Sequence, residues 1–274
     1  MRVAVVGVGA VGRVALDALA ADPDVRSVVA VTSRRLTTGL HGSIEVRRGA
    51  GTGAPVDADV VIVTDPRQTR RVAADALVHG AHVVATADDP ITVRSLLALH
   101  TEAQERHLTV AAGAGLAPGL GCVLARWAGA RLDVVDEVHV ASSGTGGPAC
   151  ARAHHAALSS MAVDYHEGAW RRRPGGSGRE LVWFPEPVGG ADCYRCDRAD
   201  PLLVVPAFPG VRRVTARVAA TRRDRTTAWL PMMRPPHPEG LEGAVRAEVR
   251  GWRAERAHTE VVGVSARPAL AAGI

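Results

Sequence analysis

The sequence predicts an α/β protein, with an N-terminal doubly wound parallel sheet and a second α+β domain containing a mixed or antiparallel sheet. Three observations predict it. Short continuous apolar runs alternate with helix-patterned segments through roughly the first 115 residues, as in sheets covered on both faces. The pattern changes near residue 120. From residue 180 onward the chain reads mainly as strands, which places a dinucleotide-type domain at 1–125 and an α+β domain at 126–274.

The elements follow in order. "VAVV" at 3–6 is an apolar strand, and "VGRVALDALA" after it has the spacing of a helix. "SVVAV" at 27–31 is a second strand, and the Gly-rich 36–57 holds a variable helix and a short strand. "ADVVIVT" at 58–64 is the next strand, followed by a helix over "RQTRRVAADALVHG" that Gly80 stops. "AHVVATA" supplies a strand, Asp89 and Pro90 open a helix over 91–106, and "HLTVAAG" supplies one more strand. A helix through "LGCVLARWAGA" leads to the strand "VVDEVHVASSG" and to a helix starting at Pro148. Then "LVWF", "RRVTARVA", "GAVRAEVRGW" and "AHTEVVGVSA" read as strands, the last two a hairpin across Arg253 to Glu255. Arg171 to Arg173 fall in a Gly-rich loop, and "PMMRPPHPEG" at 231–240 is a Pro-rich loop.

Composition narrows the chemistry. The 274 residues are 47% hydrophobic, enough for real cores, and all 33 basic residues are Arg because the chain holds no Lys. Lys-based Schiff-base chemistry is thereby excluded. The net charge of +5 raises the question of nucleic acid, but the arginines are scattered and aromatics are only 3% of the chain, so no stacking platform accompanies them. Four Cys without framework spacing, an early first strand and no apolar run of spanning length predict a cytoplasmic protein without membrane contact. The pair Cys193 and Cys196 spells C-x-x-C, but no second pair completes a metal site, so no metal is expected.

Gly7, Gly9 and Gly12 form G-x-G-x-x-G between a predicted strand and a predicted helix, the context that gives this spelling its meaning. Gly7 turns the chain, Gly9 leaves room for a pyrophosphate, and Gly12 lets helix and strand approach; the N–H groups of the helix start, from Ala10 and Val11, face the anion. The pattern is that of a Rossmann domain. Ser33 lies about 20 residues beyond the last glycine, where the ribose is met. A carboxylate there would repel a 2′-phosphate, whereas Ser33, Arg34 and Arg35 offer a hydroxyl and guanidinium forks to it, which favours NADP(H) over NAD(H). Thr64, Asp65 and Pro66 follow the third long strand at the sheet's carboxyl edge and are candidates for cofactor contact; Asp65 can equally be a helix N-cap. The same two readings apply to Thr86, Ala87 and Asp88.

In "SSGTGGPACARAHH" at 142–155 a helix again begins after a Gly-rich loop. Ser143, Gly144, Thr145 and Arg152 can hold a substrate carboxylate there, or the stretch is a capped connecting loop. His154 and His155 are the candidate proton-handling residues, and point about 100° apart on a helix, so at most one faces a given cleft. Asp164, Tyr165 and His166 follow. Pro118 and Gly119, in "GAGLAPGLG" at 113–121, bring backbone towards a bound nicotinamide and substrate.

The order of "VVGVGAVG", "ADVVIVTDP", "HVVATADDP" and "GLAPGLG", with "FPEPVGG", "FPGV" and the closing "ARPALAAG", resembles the saccharopine dehydrogenase-like reductases and the related Gfo/Idh/MocA-type oxidoreductases. The resemblance spans nearly the whole chain. It implies hydride transfer, in an interdomain cleft, between NAD(P)H and a carbonyl, imine or secondary amine; a small carboxylate-bearing substrate, from the resemblance and the Arg-rich second domain, and a homodimer are expected here. Two departures stand out. Ala117 occupies a position where related loops often carry a polar residue, and the chain ends at Ile274 where relatives continue into a further helix, as in a truncated or shortened member. The alternative expectation is a noncatalytic NAD(P)-binding sensor or assembly protein derived from such a reductase.

Overall fold

A computed structural model of the chain describes residues 1–33, 39–48, 57–232 and 242–273. Contacts divide it into two compact units, Met1–Ala87 with Ile91–Gly115 and the last residues from Ala272, and Asp88–Pro90 with Leu116–Ala271.

In the first unit the chain runs β1 (Arg2–Val6), α1 (Ala10–Ala21), β2 (Ser27–Thr32), β3 (Ile44–Arg48), β4 (Val60–Val63), α2 (Thr69–Val78), β5 (His82–Ala85), α3 (Pro90–Leu97), α4 (His100–Glu105) and β6 (Val110–Ala112). The strands form a parallel six-stranded sheet in the order β3-β2-β1-β4-β5-β6. Strand β1 is apolar without alternation because Val3, Ala4, Val5 and Val6 are all buried. The order reverses between β1 and β4, so the loops after these two strands flank the crevice where sheets of this topology take ligands. The short strand expected within 36–57 is β3; the rest of that stretch lies largely outside the described residues. The single helix expected over 91–106 is two helices. Leu99 N donates to Leu96 O, a tight three-residue turn that ends α3 before α4 begins.

The second unit contains α5 (Leu120–Gly129), β7 (Val134–Ser143), α6 (Pro148–Ala157), β8 (Met161–His166), β9 (Ala169–Pro174), β10 (Glu180–Trp183), β11 (Gly190–Arg195), α7 (Asp200–Ala207), β12 (Arg213–Ala219), α8 (Arg222–Thr227), β13 (Gly243–Arg253) and β14 (Arg256–Ala266), and the chain closes with α9 (Pro268–Gly273). The mixed sheet runs β10-β11-β12-β7-β13-β14, with β8 on β12 and β9 on β8. Val138 and Val140 of β7, Val214 of β12 and Val245, Ala247 and Val249 of β13 share one face and one core with Ala125 and Ala128 of α5 and Val204 of α7. The β13–β14 hairpin turns at Ala254 and Glu255, both at positive φ, as the sequence predicts.

One further local expectation is corrected. Arg171 to Arg173 are not in a loop: they form β9, paired residue by residue with Asp164, Val163 and Ala162 of β8 around a turn at Glu167 and Gly168. Strand β9 is exposed along nearly all its length, so its long side chains reach water and a run of arginines does not break the strand. Asp164, Tyr165 and His166 follow α6, as the sequence predicts, and lie on β8. Among the described residues no helix is long and apolar enough to cross a membrane.

Candidate functional site

The glycine turn is built by contact. Gly7 has φ +105 and its N–H donates to Val31 O at 3.0 Å, fixing the end of β1 against β2. A Cβ on Gly7 would stand 2.7 Å from Asp65 N, and one on Gly12 would stand 1.9 Å from Gly7 O. A Cβ on Gly9 would meet nothing within 4 Å. Two glycines are therefore demanded by the protein itself, and the third borders open space. Thr64 locks the arrangement by donating its hydroxyl to Gly7 O at 2.7 Å. Helix α1 starts from Gly9 with no side-chain cap and no acidic residue in its first turn; the first helical bond is Arg13 N to Gly9 O. The amides of Ala10, Val11 and Gly12 precede that bond and carry the positive end of the helix dipole. This cradle fits a diphosphate.

Ser33 is exposed one residue beyond β2. Arg34 and Arg35 lie outside the described residues. Thr64 and Asp65 both donate their N–H groups to Val6 O, which holds the loop after β4 against the end of β1. Asp65 is not the N-cap of α2, which begins after Gln68; its carboxylate instead accepts from Arg67 N at 3.0 Å, closing a turn before the helix. Pro66 is exposed and Ala87 is buried.

In the second unit, Ser143 ends β7 and Gly144, at φ +85, passes close to Gly243. Helix α6 opens at Gly147 and Pro148 without any side-chain cap, so the neighbouring hydroxyls, Thr145 among them, leave its N-terminus uncovered. Arg152 is exposed on the same helix. His154 and His155 are both enclosed, at 8% and 7% exposure. Burial, followed by the charge of Arg198, pushes the His154 imidazole down to about 4, so it is neutral at neutral pH. His155 Nε2 lies 3.1 Å from the Thr227 hydroxyl of α8. Pro118 is buried and Gly119, at φ +131, starts α5.

Cys193 and Cys196 are free, buried thiols packed in two different apolar clusters. Burial pushes Cys193 up to about 12 and Cys196 further in the same direction. Among the described residues no three side chains form a metal-binding group.

A buried charge cluster escaped the sequence. Arg198 Nη1 lies 3.5 Å from Asp88 Oδ2 and its Nε 3.7 Å from Asp200 Oδ2. The side chains of Arg198 and Asp200 are 7% and 3% exposed, whereas that of Asp88 is 28% exposed. Ala199 N also donates to Asp88 O at 3.1 Å. Burial raises the Asp200 carboxyl against the opposing pull of Arg198. The only signal in the sequence was an acid three residues beyond β5; nothing tied it to residues 198 and 200.

No protein-family model matches the sequence, and no curated protein matches it either. Solved structures do match. Saccharopine dehydrogenase (L-Glu forming) from Saccharomyces cerevisiae superposes with a TM-score of 0.68 over 99% of this chain and 88% of that one, at 14% identity. The chain has the saccharopine dehydrogenase fold. The resemblance in the order of its motifs is thus met at the level of architecture, parallel sheet and mixed sheet together. A meso-DAP dehydrogenase mutant with DAP from Clostridium tetani matches with a TM-score of 0.52 over 99% of this chain and 85% of that one, at 11% identity. DAP dehydrogenase of C. glutamicum, in complex with DAP, gives 0.50 over the same shares at 16% identity.

Proposed function

We propose that the protein is an NADP(H)-preferring oxidoreductase that moves a hydride between the nicotinamide and a small carboxylate-bearing carbonyl, imine or secondary amine. The observation that carries this reading is the glycine cradle: Gly7 and Gly12 are forced by packing, while Gly9 and the uncapped start of α1 border open space. The saccharopine dehydrogenase fold supports it.

In this reading the amides of Ala10, Val11 and Gly12 bind the diphosphate, and Thr64, Asp65, Pro66 and Ala87 border the cofactor. Ser33, Arg34 and Arg35 select the 2′-phosphate. The cofactor supplies the hydride. Ser143, Gly144, Thr145 and the open N-terminus of α6 receive the substrate carboxylate, with Arg152 adding long-range attraction and Pro118 and Gly119 closing the substrate side. His154 and His155 are the candidates for handling the proton of the reaction, with His154 neutral at neutral pH. His155 orients beside it through Thr227. We further propose a cytoplasmic homodimer with no nucleic-acid partner.

The test is calorimetry with NADPH and NADH, followed by absorbance at the reduced nicotinamide across a panel of keto and imino acids. Tighter binding of NADPH and substrate-dependent oxidation are expected. Bound NADPH that no panel member oxidises would favour a noncatalytic nucleotide sensor, and silence with both nucleotides would end the reading.

A further inference from the structure

The hairpin of β8 and β9 takes no part in holding the cofactor or the substrate, and its outer strand is built to meet something else. Strand β9 pairs with β8 on one side, and among the described residues no strand pairs with its other edge. Alternate backbone N–H and C=O groups of β9 therefore face outward, ready to pair. Only Ala169 is partly covered; Trp170, Arg171, Arg172, Arg173 and Pro174 are exposed.

The acids that would answer these arginines are engaged elsewhere. Asp164 stands opposite Arg171 in the register, but its side chain is 8% exposed and is held by Arg195 Nε at 2.9 Å. Its other oxygen is buried and meets no partner, Arg171 included. Glu167, in the hairpin turn, is held by Arg212 at 2.8 Å. Arg171, Arg172 and Arg173 thus have no ion-pair partner among the described residues. Side chains alternate along a strand, so Arg171 and Arg173 share one face about 7 Å apart, and Arg172 shares the other with Trp170.

Charge on an edge strand guards it against its own kind, and a second copy of β9 would set guanidinium against guanidinium. A guard of one sign still admits a strand of the opposite sign. A nucleic acid would answer the charge but not the free backbone edge. Nor does the hairpin offer it a stacking platform, since the Trp170 ring meets Tyr165 edge-on at 5.1 Å and no second exposed ring lies on β9.

We propose that β9 is a docking edge for an extended acidic segment of a partner protein, which adds to it as a further strand. Three consecutive carboxylates of that segment face Arg171, Arg172 and Arg173 across the new ladder, and an apolar residue beside them covers Trp170. The surface is separate from the nucleotide cradle and does not rest on the oxidoreductase reading.

The probe is a labelled ten-residue peptide with Leu-Glu-Glu-Glu at its centre, titrated into the full chain by fluorescence anisotropy. It is compared with a Leu-Gln-Gln-Gln peptide and with two copies N-methylated at the two alternating sets of backbone positions. The acidic peptide is expected to bind at least tenfold more tightly than the Gln peptide. One N-methylated copy should lose that advantage and the other keep it, because a strand pairs through every second residue. Arg172→Glu should weaken binding at least tenfold, and a Leu-Glu-Lys-Glu peptide should restore it, which also shows the variant to be folded. Equal binding of the acidic and Gln peptides overturns the proposal and leaves the arginines as an edge guard alone. Identical behaviour of the two N-methylated copies overturns it as well, and so does displacement of the peptide by a single-stranded oligonucleotide or phosphatidylserine vesicles at lower concentration than unlabelled peptide.

Discussion

The Thr64 hydroxyl donates to the Gly7 carbonyl at 2.7 Å, so the end of β4 and the turn after β1 are joined at the place where the sheet order reverses. The same hydroxyl stands 2.9 Å from where a Cβ on Gly12 would sit. Replacing Thr64 by Val keeps the shape and removes the donor, and is expected to cost about 1 kcal/mol in denaturant unfolding.

The glycines of the turn should respond in opposite ways. Gly12→Ala puts a methyl against the backbone oxygen of Gly7, which cannot yield cheaply, and should lose about 3 kcal/mol of stability as well as nucleotide binding. Gly9→Ala meets no atom, so its stability should change by about 0.5 kcal/mol or less while NADPH affinity falls at least tenfold. Parallel melts and calorimetry on the two variants check this.

Arg34→Ala combined with Arg35→Ala should lower NADPH affinity by about 2 kcal/mol and leave NADH affinity nearly unchanged, since only the 2′-phosphate loses its charged partners. Equal affinities for the two nucleotides in the parent protein would contradict the assignment.

His154 gives a pH dependence with a definite sign. Its folded value of about 4 lies below the ordinary value of 6.5, so the unfolded chain binds the extra proton between those values. Stability is fully present above about pH 6.5 and falls as the pH drops towards 4, by about 3 kcal/mol in all for such a shift. His154→Gln, which keeps a hydrogen-bonding group and removes the titration, should flatten that part of the stability profile.

Arg198→Met should be strongly destabilising, by about 3 to 5 kcal/mol, because it strands the buried Asp200 carboxylate. Adding Asp200→Leu should recover most of that loss, as replacing both members of a buried ion pair often does. Chemical denaturation of the single and double variants measures the difference.

Much of the fold was legible because its signals are local. The apolar runs at β1, β4 and β5 and the glycine spelling before α1 lie within a few residues of what they specify. Strand β9 was not, because "WRRRP" has the composition of a loop and becomes a strand only through its pairing with β8. Helix α7 was hidden too: Pro201 and Pro206 stand at its two ends, and Val204 and Val205 read as strand formers. At the sites, the cradle could be read in full, whereas the Asp88–Arg198 pair joins residues 110 positions apart and leaves no periodic trace. The His pair marks a different limit. Helical geometry separates the two rings in direction, but both are buried.

The strand order also sets a timetable for synthesis. β1 takes its second neighbour only once β4 has been made, and β7, central in its sheet, waits for β12 on one side and β13 on the other. Pairings so distant along the chain form slowly and leave apolar strands uncovered on the ribosome. A stall between β7 and β13 would therefore present the cell with a sticky nascent chain, making chaperone demand and soluble yield sensitive to elongation speed across that stretch.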